Sequence, residues 1–201
     1  MKTVGIIGAM EEEVAFIKSN IEVVSAKNIV GVDYFMGKMH GRNVVLVRSG
    51  IGKVNAAICT QVLIDLYGVD YILNTGVAGA IQKDLKIGDI VISNDLVYHD
   101  FDTTAFGDPL GVIPRMNISS FNSDEELIRL AREACATFLN NEDFCVERIV
   151  SGDKFVASKE DKAFIWSEFK AYCVEMEGAA IAHTCILNKL PFVVIRAISD
   201  K

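Results

Sequence analysis

No apolar run in this chain of 201 residues approaches the length of a membrane span, and glutamates arrive before an apolar segment of signal-peptide length can develop. A membrane or secreted protein is therefore not expected, and a cytoplasmic one is. Basic clusters are missing too: 20 lysines and arginines stand against 27 acidic residues, for a formal charge of -7. That balance offers nothing to track a nucleic-acid backbone or an anionic membrane, so neither is expected as a partner. The cysteines Cys59, Cys135, Cys145, Cys173 and Cys185 contain no C-x-x-C pair, which argues against a disulfide framework and a zinc knuckle and for reduced thiols. His40, His99 and His183 are too scattered for a metal site, and no metal or cofactor is expected. A dinucleotide fingerprint is incomplete as well. After Gly5 and Gly8 the third glycine is absent, and Glu11, Glu12 and Glu13 occupy the seat where phosphate would lie.

What is present is a hydrophobic composition of 51%, enough for one domain with a sizeable core. Short β-branched runs at Val4 to Ile7, Val44 to Val47, Tyr71 to Leu73, Ile90 to Ser93, Cys145 to Val150 and Phe192 to Ile198 read as strands. Between them, Glu11 to Asn20, Lys53 to Tyr67, Ser123 to Leu139, Lys159 to Phe169 and Glu177 to Asn188 show helical spacing, with Ser123 and Glu126 forming a capping box for the third. The pattern predicts an α/β fold, a single domain with a central twisted sheet flanked by helices. A hairpin from Val32 to Val47 makes the sheet mixed. The one long irregular stretch, Asp100 to Asn122, contains Pro109 and Pro114 and is expected to be functional or interfacial.

Three glycine-containing segments follow strands: Gly8-Ala9-Met10, Ser49-Gly50-Ile51-Gly52-Lys53 and Asn74-Thr75-Gly76-Val77-Ala78-Gly79. Each reads as a turn, and three turns at strand ends suggest a shared ligand cleft. Val174-Glu175-Met176-Glu177 places two carboxylates around a methionine at a strand-to-helix junction, suited to the hydroxyls and face of a ribose. Helix-capping acids beside a core methionine are the plainer alternative. Arg196 interrupts an apolar strand ending at Asp200. A buried arginine demands an anion, and Asp200 or a first-turn glutamate is the expected partner.

In order along the chain, Gly8 to Glu13, Ser49 to Lys53, Asn74 to Gly76, Ser151-Gly152-Asp153, Val174 to Glu177 and Arg196 to Asp200 resemble the bacterial 5'-methylthioadenosine/S-adenosylhomocysteine nucleosidases. The resemblance implies a nucleoside phosphorylase/hydrolase fold, a homodimer, and hydrolysis of an N-glycosidic bond with water to release adenine. It implies Glu12 as the base that activates water and Asp200 as the acid at purine N7. For Asp200 to donate at neutral pH, its pKa would have to be raised, so Arg196 is expected to serve Glu12 instead. Glu177 would hold the ribose hydroxyls and Met176 would pack on the sugar. Phe155 and Val156 would seat adenine, while Ile51, Val77, Ala78, Gly79 and Ser199 complete the substrate contacts. Phe106 and Pro114 would reach the alkylthio pocket of a neighbouring subunit. Serine is usual in the family where this chain has Val77, which shifts that hydroxyl's task to backbone groups. The family continues about one helix past Asp200, so a domain of residues 1–201 lacking that helix is expected, with Asp200 more exposed. A phosphate-dependent purine nucleoside phosphorylase and a non-catalytic nucleoside-binding protein are the competing readings. The glutamates disfavour the first and the pairing of acid with base disfavours the second.

Overall fold

A computed structural model describes residues 2–116 and 118–201. In chain order the elements are β1 (Thr3–Gly8), α1 (Glu11–Ser19), β2 (Glu22–Ile29), β3 (Val32–Met39), β4 (Arg42–Arg48), α2 (Lys53–Tyr67), β5 (Tyr71–Ala80) and β6 (Ile90–Tyr98). They continue with β7 (Phe121–Asn122), α3 (Glu125–Phe138), β8 (Phe144–Ser151), α4 (Lys159–Phe169), β9 (Cys173–Glu175), α5 (Gly178–Leu187) and β10 (Phe192–Asp200). All strands join one sheet of order β10-β6-β8-β9-β5-β1-β4-β3-β2, with β7 on β6. Because β10 also pairs with β5, the first five strands of that order close on themselves. The pairing is mixed: β1 runs parallel to β4 and β5, whereas β2, β3 and β4 form an antiparallel ribbon. The expected fold class and the expected hairpin are both present.

Closure explains the sequence of α5. Gly178, Ala179, Ala180 and Ala182 are buried small residues that let this helix lie close against the strands, beside α2. Its apolar surface runs all round, as a core helix requires. The principal core joins Ile7, Leu63, Ile72, Ile181 and Val194. Each such side chain contributes about 1.5–3 kcal/mol when fully buried. Among the described residues no helix is long and apolar enough to cross a membrane.

The structure corrects several expected boundaries. Asn74 to Ala80 is not a turn but the continuation of β5, pairing with β10 from Thr75 through Gly79. Tertiary pairing overrides the glycines there. β2 and the three-residue β9 were not expected, the first because its residues are mostly exposed and lack an apolar face. The stretch from Asp100 to Asn122 is irregular over most of its described residues, as expected. It carries a short 3-10 turn at Thr104–Phe106, and Phe101, Ile113, Met116 and Ile118 pack on the core.

Helix α3 is capped by Asp124, whose side chain accepts from the Leu127 amide at 3.0 Å, and not by Ser123. Ser123 is drawn away by a buried 2.6 Å hydrogen bond to Ser93, whose hydroxyl accepts from the Val194 amide. Glu126 pairs with Arg129 on the surface. We expect Asp124→Ala to cost about 1 kcal/mol in urea unfolding, and Glu126→Ala no more than about 0.5 kcal/mol. The reverse order would restore the capping box read from the sequence.

Candidate active site

The acidic turn at the start of α1 separates its glutamates by direction. With Met10 as the residue before the helix, Glu13 is the third helical residue, the position whose side chain can fold back over the exposed amides. Glu13 Oε2 accepts from the Ala9 and Met10 amides at 2.6 and 3.0 Å, and its Oε1 accepts from the Val77 amide on β5 at 2.9 Å. Glu12, one residue earlier and about 100° around the helix, is exposed. It lines a separate groove of about 640 Å³ with Glu11 and Arg48, which themselves pair at 3.4 Å. The expectation that Glu12 faces the cleft is therefore corrected to Glu13.

Gly76 makes room for this carboxylate. A Cβ there would stand 2.5 Å from Glu13 Oε1 and 2.9 Å from Arg196 Nη1. Arg196 lies opposite Gly76 in the β5–β10 register. Its guanidinium is 2% exposed and bonds Glu175 Oε2 and Asn74 Oδ1, each at 2.5 Å. Burial works to lower the guanidinium pKa, and Glu175 overcomes it, so the group stays charged with its pKa raised. The partner of Arg196 is thus Glu175, not Asp200 or a first-turn glutamate. Glu175 also accepts from the Ser151 hydroxyl and from the Glu177 and Gly178 amides, which tie it to the start of α5.

Those bonds turn Glu177 towards the turn before α2. Gly50 and Gly52 both adopt positive φ, 82° and 99°, conformations that favour glycine. The Gly52 amide donates to Glu177 Oε1 at 2.8 Å. Burial, then the neighbouring charge of Glu175, pushes the Glu177 carboxyl up to about 7.

Asp200 lies at the far end of β10, hydrogen-bonded to the Ser199 hydroxyl at 2.8 Å, with Lys162 at 3.7 Å. Its side chain is 42% exposed. Gly79 admits it, since a Cβ there would approach Asp200 Oδ2 to 3.1 Å. Asp200, Gly79, Phe155, Val156, Glu175 and Met176 surround one cavity of about 30 Å³. Val156 is buried and Phe155 exposed across that cavity. The buried Ala78 and exposed Ser199 are in contact: the Ser199 hydroxyl reaches the Ala78 carbonyl at 3.4 Å.

Most site residues expected from the sequence therefore gather along β5, β9 and β10, while Ile51 stands exposed at the neighbouring turn. Phe106 does not join them within this chain and is 88% exposed. Pro114 sits in the same long loop. Sequence reasoning missed Glu13, Asn74, Ser151 and Glu175 as partners in the cleft. The helical position of Glu13 after Met10 was a usable signal, whereas nothing local links Ser151 or Asn74 to Arg196.

The family model described as the phosphorylase superfamily matches residues 3–201. A 5'-methylthioadenosine/S-adenosylhomocysteine nucleosidase of Staphylococcus haemolyticus is 46% identical over 200 residues, 98% of this chain and 86% of the relative. The crystal structure of the Neisseria meningitidis nucleosidase of that name, in complex with methylthio-immucillin-A, superposes with a TM-score of 0.95 at 44% identity, covering 100% of this chain and 86% of that one. Futalosine hydrolase of Helicobacter pylori reaches a TM-score of 0.93 at 39% identity, covering 99% of this chain and 84% of its own.

The raised carboxyl of Glu177 gives a signed pH dependence. A carboxyl whose pKa is higher folded than unfolded binds extra protons in the folded state between about 4.5 and 7, so stability falls as pH rises through that window. We expect Glu177→Gln to stabilise the protein at pH 8, relative to wild type, by on the order of 1–3 kcal/mol, with the gain vanishing near pH 4. Thermal unfolding across that range checks it, and a gain independent of pH would refute it.

Proposed function

We infer that this chain, which belongs to the phosphorylase superfamily and within it to the 5'-methylthioadenosine/S-adenosylhomocysteine nucleosidases, is a hydrolase that cleaves the N-glycosidic bond of those nucleosides with water. Adenine and the corresponding 5-thio-substituted ribose leave. The observation that carries the choice of water is the inward carboxylate of Glu13. A carboxylate offers about four lone-pair positions. Three are taken by the amides of Ala9, Met10 and Val77. The remaining position suits a water hydrogen. Arg196 beside it gives both bonds of its Nη2 to Glu175 and Asn74, so its charge is balanced by a carboxylate rather than left to attract an anionic phosphate.

In this reading Glu13 takes the role that the sequence resemblance placed on Glu12. It withdraws a proton from water as the water oxygen bonds to C1' of the sugar. The C1'–N9 bond breaks, its electron pair goes to adenine, and Asp200 supplies the proton at N7. Each proton transfer contributes about 10²- to 10⁴-fold. Glu177, with the Gly52 amide fixing one oxygen, receives the ribose hydroxyls, and Met176 packs on the sugar face. Val77 serves through its amide, which already holds Glu13. A side-chain hydroxyl at that position is thereby made dispensable.

The protein acts, in this proposal, as a cytoplasmic homodimer. Val54 and Ile58 on α2, with Ile51 in the turn before it, form an exposed apolar stripe, and Phe106 is an exposed ring in the long loop. A second copy covering the stripe would bring Phe106 and Pro114 to the alkylthio end of its neighbour's site.

Glu13→Gln is expected to lose at least about 10²-fold in kcat without phosphate in the assay, while Glu12→Gln stays within about threefold of wild type. Adenine release that depends on added phosphate, or equal losses in the two variants, would overturn this assignment. Sedimentation at micromolar concentration should give a dimer. Phe106→Ala should raise KM for the methylthio substrate about tenfold with little change in kcat.

A further inference from the structure

Two successive amides at the start of α2 point to different halves of the cleft. The Gly52 amide donates to Glu177, and the next, that of Lys53, donates to Asp153 Oδ1 at 2.9 Å. Asp153 opens the segment that runs into Phe155 and Val156. Its own amide donates to Asp100 Oδ2 at 2.8 Å, and the Lys53 ammonium returns to that same oxygen at 2.6 Å. The three residues therefore close a ring of hydrogen bonds across chain separations of 47, 53 and 100 residues. Lys53 Nζ also lies 3.7 Å from Asp153 Oδ2 and 5.4 Å from the centre of the Tyr98 ring. Burial works to raise the Asp100 pKa, yet Lys53 and the Asp153 amide hold it below the ordinary carboxylate value. Gly52 is confined by the same ring, since a Cβ on it would stand 3.2 Å from Asp153 Oδ1.

We propose that Lys53, Asp100 and Asp153 are positioning residues that set the distance between the sugar-binding carboxylate Glu177 and the nucleobase segment Asp153 to Val156, with Asp100 fixing the same frame to the start of the Phe106 loop. Glu177 and Asp153 read adjacent amides of one helix terminus, so the spacing of the two half-sites is the spacing of neighbouring peptide units. The ring stops Asp153 from sliding along that terminus. A bound nucleoside bridges the two half-sites, whereas free adenine or a free thioribose occupies only one. Loss of the ring therefore penalises the intact nucleoside and spares its fragments, which a general loosening of the fold would not do.

This inference rests on the nucleosidase reading, and its test separates the two. In the full-length protein, Lys53→Met and Asp153→Ala are compared with Lys53→Arg and with the remote surface variant Lys38→Met. We expect kcat/KM for 5'-methylthioadenosine to fall about tenfold or more in the first two, with adenine and 5-methylthioribose binding within about twofold of wild type and most activity recovered in Lys53→Arg. Equal weakening of the nucleoside and both fragments, or unchanged kcat/KM, overturns the proposal. Hydrogen exchange of the Asp153 to Val156 amides reads the ring without turnover: about tenfold acceleration is expected in Lys53→Met and none in Lys38→Met. A wild-type enzyme that releases no adenine defeats the nucleosidase reading alone. Absence of accelerated exchange defeats the ring alone.

Discussion

The buried pair of Arg196 and Glu175 is the constraint on which the cleft depends. Two ions at 2% exposure are costly to desolvate, and they are held by hydrogen bonds from several neighbouring elements. Glu175 takes hydrogen bonds from Ser151 on β8 and from two amides at the start of α5, while Arg196 on β10 reaches Asn74 on β5. One charge pair thus joins five elements, β5, β8, β9, α5 and β10. Removing either partner would strand a buried charge at a cost of about 3–5 kcal/mol, which makes the pair a fixed point rather than an adjustable contact.

Closure of β5, β10, β6, β8 and β9 on one another follows from the same region. Because β5 and β10 run parallel and in register from Phe192 opposite Ile72 to Ala197 opposite Val77, the cleft is built along two neighbouring strands. It is not confined to their tips. That arrangement needs small residues where carboxylates cross a strand. Gly76 admits Glu13 and Gly79 admits Asp200. The glycines of Asn74 to Ala80 serve close approach within a strand, a use of glycine that local sequence cannot distinguish from a turn.

This difference marks what was legible in advance. Strand cores such as Val44 to Val47, the hairpin and the Gly50 to Gly52 turn all follow from period, turn chemistry or residue type within a few positions. The partner of Arg196 does not, because Glu175 lies 21 residues away and reaches it through strand order. Ser123 was misread as a cap for the same reason: Ser93, 30 residues earlier, competes for its hydroxyl. The identity of the inward glutamate was within reach. Once Met10 is taken as the residue before the helix, only the third glutamate can fold back over the terminus, whereas Glu12, to which the resemblance pointed, is exposed.

The sign of the cleft joins its two demands. Glu13, Glu175 and Glu177 together face Arg196, an excess of carboxylate over guanidinium among these four groups. An anionic nucleophile is repelled by that excess, so water is favoured over phosphate. A sugar acquiring positive charge as its bond to the base breaks is attracted by it, and the attraction grows towards the transition state, where it accelerates the reaction. The cost falls on Glu177, whose carboxyl is pushed up to about 7 by burial and by Glu175. In the proposed mechanism, a ribose whose hydroxyls donate to that carboxylate favours its ionised form, so substrate binding supplies the charge that the chemistry then uses.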